Sequence, residues 1–217
     1  MLRVLLVLAL LPVLAHAAPA DRALLDKWIA SQEKIQTLSA DFTQTRKLLS
    51  VKNPLSSSGH LWFRKPDAFR WELGNPAKRI ALRNGSGIIL AEPPRKRATK
   101  STLADTASSA GVRDLLDAPI AMSKKAFDER FEVVSFDSDG QAGRAKLSLR
   151  DAQAARYVSS VILNFDLATN HLLSFEMVFR DGSSFRNDFT NVRINEKLPA
   201  GIFEFDLAGY TVTDAKD

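Results

Sequence analysis

The chain has 217 residues, of which 45% are hydrophobic, with 30 Lys and Arg against 25 Asp and Glu and a formal charge of +5. It has no cysteine, which excludes disulfides, thiolate nucleophiles and thiolate metal sites. The positive excess is spread too thinly for a nucleic-acid footprint. Its one dense run, Pro93-Pro94-Arg95-Lys96-Arg97, reads as a solvated loop, the other reading being contact with anionic headgroups or an acidic partner.

Residues 1–17 place Arg3 before an apolar run, residues 4–14, and end on Ala15-His16-Ala17. This is the pattern of a signal peptide cleaved after Ala17. No later stretch approaches the roughly 20 apolar residues of a membrane-spanning helix, so an exported, soluble product is expected. Cleavage leaves residues 18–217, a length suited to one domain with a sizeable core.

Between residues 20 and 38, Leu24, Leu25, Trp28, Ile29 and Ile35 recur at three- and four-residue spacings, which predicts an amphipathic helix. A strand is predicted for 39–49, with Phe42 and Gln44 on one face, then a turn-rich stretch through 52–59. Strands follow at 61–64, 69–73, 79–83 and 88–91, the last two joined at Asn84-Gly85. Leu61 and Phe63 share one face of their strand, and Phe69, Trp71 and Leu73 share one face of the next. From 102 to 130 the spacing turns helical through Leu103, Ala107, Ala110, Val112, Leu115, Leu116 and Ile120, with Pro119 as a breaker. Strands resume at 131–137, 143–150, 156–166, 171–180 and 183–194, with hairpin turns at Ser138-Asp139-Gly140 and Asp181-Gly182. In the strand over 171–180, alternation puts Leu173, Phe175, Met177 and Phe179 on one face.

Many antiparallel strands with two helical insertions predict an α+β fold, one strongly curved sheet with helices over its concave face. The inward residues then pack either against each other or around a cavity. Catalysis finds little support. After export only His60 and His171 remain, no G-x-S-x-G elbow accompanies them, and both read as surface histidines. Asp137-Ser138-Asp139-Gly140 lacks the later glutamate of a calcium loop, and a hairpin turn accounts for it. No catalytic, cofactor-binding or metal-binding residue is assigned, and no enzyme is expected.

A leading helix, then Phe42-Thr43-Gln44-Thr45, then Gly59-His60-Leu61-Trp62-Phe63-Arg64-Lys65-Pro66-Asp67-Ala68-Phe69-Arg70-Trp71-Glu72 resembles the LolA family of periplasmic lipoprotein carriers. The likeness spans residues 20–214. It includes Asn75-Pro76 before Ile80, the Gly85 turn before Ile88-Ile89, the Asp181 hairpin and a closing Leu198-Pro199-Ala200-Gly201-Ile202-Phe203-Glu204-Phe205. The resemblance implies an incomplete β-barrel closed by a helical lid around a hydrophobic cavity. The cavity wall would include Phe42, Leu61, Phe63, Phe69, Trp71, Phe175, Met177 and Phe179, and the lid Leu103, Val112, Leu115, Leu116 and Ile120.

The implied function is a periplasmic chaperone, acting as a monomer. It would shield lipoprotein acyl chains between an inner-membrane ABC-type release complex and an outer-membrane receptor. Without a cysteine to acylate, the chain resembles the free carrier and not the anchored receptor of the same superfamily. It departs from the family at the hairpin proline, where an arginine that latches the lid is replaced by Lys65, with Arg64 one position earlier and on the opposite face. An ammonium lacks the planar fork, so a weaker latch is expected. Leu48-Leu49 and Pro54-Leu55-Ser56-Ser57-Ser58-Gly59 look more like divergent relatives found with lipid or polyene export systems. The alternative functions are therefore a LolA-like carrier of another lipid or polyene product working with a dedicated exporter, or a module that senses lipid or lipoprotein.

Overall fold

The computed structural model describes residues 19–85, 87–101 and 120–214. Helix α1 (Pro19–Gln32) leads into β1 (Thr37–Lys47), β2 (Leu55–Arg64), β3 (Ala68–Leu73), β4 (Arg79–Asn84), β5 (Gly87–Glu92) and β6 (Arg97–Ser101). Helix α2 (Lys124–Arg130) is followed by β7 (Phe131–Ser138), β8 (Ala142–Leu149), β9 (Val158–Asp166), β10 (Leu172–Phe179), β11 (Ser184–Ile194) and β12 (Thr211–Asp214). The strands form one sheet in the order β12-β6-β5-β4-β3-β2-β1-β11-β10-β9-β8-β7, antiparallel except where β12 runs parallel to β6. The sheet curls but does not close, so the expected α+β incomplete barrel is present, with β12 and β7 at its two ends among the described residues.

The first helix is shorter than its periodicity predicts. Leu25, Trp28 and Ile29, spaced three and four apart, are fully buried against β7–β10 with Phe127 of α2, Phe165, Leu163 and Phe175. The helix stops at Gln32, where the Ser31 hydroxyl donates to the Trp28 carbonyl at 2.6 Å and a tight turn forms through Lys34 N–H to the Ser31 carbonyl. Ile35 and Leu38 therefore leave the helix and pack into a second cluster with Ala40, Phe42, Leu61, Phe63, Phe69 and Trp71. Both clusters lie on the concave face, because cross-strand partners share a face and Phe42, Leu61 and Trp71 are linked by register to Phe175 through Gln44 and Asn187.

Two glycines let this aromatic packing span three strands. Gly59 of β2 pairs with Phe42 of β1, and the Phe42 ring passes over it to stack on Trp71 of β3, with ring centroids 5.6 Å apart. A Cβ at Gly59 would stand 2.2 Å from Phe42 Cζ and 2.3 Å from the Glu72 carbonyl oxygen. Gly143 of β8 repeats the arrangement: Phe136 of β7 and Phe165 of β9 stack across it at 5.9 Å, and Phe165 in turn stacks on Trp28 at 4.6 Å.

Several elements differ from the sequence reading. Residues 55–59, expected within a turn-rich stretch, belong to β2, because each pairs with β1 despite the serine run. Strands β6 and β12 went unpredicted; both are short, and β12 is held by parallel pairing from residues far away in sequence. Leu173 is exposed instead of sharing the face of Phe175, because a bulge between Leu172 and Ser174 breaks the alternation. On the convex face, residues 198–210 strap across β2–β6. Phe203 caps Ala68 and Leu82, and Arg70 donates to the carbonyls of Ile202 and Glu204, both at 3.0 Å.

Candidate functional site

The concave face is filled unevenly. Helix α1 covers β7–β10, the Phe42 cluster fills the centre, and towards one end of the sheet a cavity of about 1220 Å³ remains. Its apolar wall comprises Trp71, Leu73, Ala81, Leu90, Met177, Phe179 and Phe185. Gln44 adds a polar patch; it is buried and donates to Asn187 Oδ1 at 3.4 Å across β1 and β11. The end of the cavity is set by arginines 46, 79, 97, 156 and 180, with Glu92 and Asp181 among them.

Of the residues expected to line a cavity, Trp71, Met177 and Phe179 stand in this wall. Leu61 borders a much smaller void with Ile120 and Phe189. Phe42, Phe63 and Phe69 are packed in the central cluster, and Phe175 lies beneath α1. All eight share the concave face, but half of them are core. Among the expected lid residues, Leu103, Val112, Leu115 and Leu116 lie outside the described residues, while Ile120 packs against both clusters. The residues missed in the sequence reading are Gln44 as a wall residue and the arginines at the cavity's end. Their signal was positional: Gln44 shares the face of Phe42, and the arginines sit at or near strand ends.

Lys65 is half-buried, and its ammonium donates to the Glu33 carbonyl just after α1. The carboxylate of the same Glu33 accepts the Lys124 N–H at 2.6 Å, at the first turn of α2. Glu33 thus joins the β2–β3 hairpin to the chain that emerges after residue 119. Arg64 points to the other face, its guanidinium 4.8 Å from the Phe203 ring centroid. The basic run at 93–97 is dispersed: Arg95 bridges Glu92 at 2.9 Å, Lys96 lies over Tyr210, and Arg97 faces the cavity.

His60 lies on the convex face and shares a 2.5 Å hydrogen bond with Asp41, whose other oxygen accepts from Asn191 at 2.7 Å. Asn191 holds a left-handed conformation at the β1–β11 bulge. The Asn191 amide, followed by His60, holds the Asp41 carboxyl below its ordinary value of 3.8 against the opposing effect of partial burial. A depressed carboxylate stabilises the fold above its unfolded pKa and loses that contribution as the pH falls through the folded value. Asp41→Asn is therefore expected to be less stable than the parent at neutral pH, by a small margin given the exposure of the pair. Thermal unfolding across pH should show the gap closing below about pH 4. No group of three or more His, Cys, Asp or Glu that could hold a metal occurs among the described residues.

A family model described as the outer membrane lipoprotein carrier protein LolA matches residues 33–206. An outer-membrane lipoprotein carrier protein of Bordetella avium is 28% identical over 200 residues, covering 91% of this chain and 88% of that one. The protein of the same description from Pseudomonas fluorescens Pf-5 is 25% identical over 201 residues, covering 93% and 91%. Among solved structures, an uncharacterized conserved protein from Thermus thermophilus aligns with a TM-score of 0.54 at 9% identity, over 90% of this chain and 99% of that one.

Proposed function

The chain belongs to the LolA family of outer membrane lipoprotein carrier proteins, and from that premise we propose that it shields lipoprotein acyl chains in its concave cavity while they cross the periplasm. The observation that carries this reading is the unfilled apolar space of about 1220 Å³ between Trp71, Leu90, Met177 and Phe179. A core of this size would ordinarily close such a space, because interiors pack to crystal-like density. Acyl chains fit its chemistry, since an apolar wall gains by covering apolar surface with almost no directional demand. The carrier is exported with cleavage after Ala17, receives cargo from an inner-membrane release complex and delivers it to an outer-membrane receptor. No helix among the described residues is long and apolar enough to cross a membrane. Pull-down from the native periplasm tests the cargo: many different acylated lipoproteins should be recovered, and a single free lipid in their place would transfer the reading to a specialised carrier.

Closure is assigned to Lys65 acting through Glu33. A charge-assisted hydrogen bond at this point is worth about 1–3 kcal/mol, roughly five- to hundredfold in the ratio of closed to open forms. Lys65→Leu should raise the open population, and a fluorescent acyl ligand should fail to pass to acceptor vesicles at the parent's rate. Release at the parent's rate in Lys65→Leu would remove the latch from the mechanism.

A further inference from the structure

The cavity ends in a charged rim that its apolar wall does not explain. Arg46 lies near the end of β1, Arg79 and Arg97 open β4 and β6, Arg156 immediately precedes the β9 region, and Arg180 follows β10. The antiparallel order brings these positions to one end of the curled sheet, and all five line the cavity. Arg180 donates to the Ala155 carbonyl at 2.7 Å. The side chains of Arg46, Arg79, Arg97 and Arg156 are exposed and have no hydrogen-bond or ion-pair partner among the described residues.

The two carboxylates of the lining are already engaged. Glu92 pairs with Arg95, and Asp181 accepts from the Ser183 hydroxyl at 2.6 Å and the Ser183 N–H at 2.9 Å. Four guanidiniums without a partner among the described residues therefore line the mouth of an apolar space, a local positive charge that favours an anion there. Guanidinium forks match the oxygens of phosphate and carboxylate groups. Exposed Tyr157 at the same rim adds an amphipathic ring suited to a boundary between chain and headgroup.

We propose that the cavity takes an amphiphile whose apolar chains lie along Trp71, Leu90, Met177 and Phe179, and whose phosphate or carboxylate headgroup is held by Arg46, Arg79, Arg97 and Arg156. This rests on the reading of the cavity as an acyl-chain site and adds to it a further class of ligand, free anionic amphiphiles, since the acylated terminus of a lipoprotein carries neither a phosphate nor a carboxylate.

The test is displacement of an apolar fluorophore from the full-length exported chain by two matched pairs of ligands, phosphatidic acid against diacylglycerol and fatty acid against fatty alcohol. Neutral ligands should displace the fluorophore. The anionic member of at least one pair should do so at about five- to fiftyfold lower concentration at low salt, since each exposed pair is weak but four act together. Which pair shows the difference separates a phosphate from a carboxylate headgroup. The advantage should shrink in high salt. It should vanish in the quadruple variant Arg46→Gln, Arg79→Gln, Arg97→Gln, Arg156→Gln, within which the charged and neutral members of each pair should be equally potent. Equal potency of charged and neutral ligands, or an advantage insensitive to both salt and the four substitutions, overturns the proposal while leaving the carrier reading intact. Absence of fluorophore binding in the parent would instead overturn the carrier reading, and this proposal with it.

Discussion

Gly59→Ala should destabilise the protein by about 3 kcal/mol or more, the upper end for overpacking a core. In a domain of this length that lowers the unfolding midpoint by roughly 6–12 °C. The cause is local and specific. A methyl group at residue 59 meets the Phe42 ring at 2.2 Å and the Glu72 carbonyl at 2.3 Å; the ring could rotate, but the carbonyl belongs to the β2–β3 ladder and cannot retreat without breaking pairing. Phe42 would also lose its stack on Trp71, so one methyl group uncouples three strands at the edge of the cavity. Gly143→Ala should cost less, because the atoms it meets, at 2.7 Å and 3.0 Å, all belong to the rings of Phe165 and Phe136. Gly85→Ala is the control, with nothing within 4 Å of the added carbon. Thermal and denaturant unfolding of the three variants should rank Gly59 worst and Gly85 near the parent; similar values for Gly59→Ala and Gly85→Ala would refute this account of the packing.

Trp71→Glu should nearly abolish binding of apolar ligands. Trp71 is 7% exposed and stands between the central cluster and the cavity, and its indole N–H has no partner among the described residues. A carboxylate placed there must admit water or take up a proton, and the penalty of about 2 kcal/mol or more is roughly thirtyfold in affinity. Desolvation raises the pKa of such a carboxyl, so binding should recover partly as the pH is lowered and the group becomes neutral. Because loss of the indole also weakens the core, Phe179→Glu serves as a second variant: Phe179 lines the same cavity but is only partly buried, so the fold should tolerate the change. Fluorophore titration and thermal unfolding, measured together on both variants, separate the two effects. Parent-like affinity in both would show that the cavity is not where apolar ligands bind.

The glycine and aromatic devices explain why part of this architecture was legible in the sequence. Phe42, Gly59 and Trp71 meet across three neighbouring strands, and period-two alternation places Leu61, Phe63 and Phe69 on the same face. Alternation cannot say which inward residues meet a neighbour and which meet empty space. That depends on where α1 ends and how far it covers the sheet, and so Phe42 and Phe175 are core while Met177 and Phe179 are wall. Alternation also fails at Leu173, where a single bulged residue reverses the faces. The arginine rim was illegible for another reason. Arg46, Arg79, Arg97 and Arg156 are separated by 33, 18 and 59 positions in the sequence and look like ordinary surface charge until strand register brings them to one end of the sheet. The dense run at 93–97 drew attention, yet two of its three charges are spent on Glu92 and Tyr210.

The central claim is that the space beneath the curled sheet holds acyl chains, and native mass spectrometry of the protein purified from its native cells tests it most directly. The account predicts a population heavier than the bare chain, whose excess mass is released by organic extraction and contains acyl groups, and which is depleted in Phe179→Glu. A protein that emerges only as the bare chain, and whose Phe179→Glu variant binds apolar fluorophore as tightly as the parent, would contradict it.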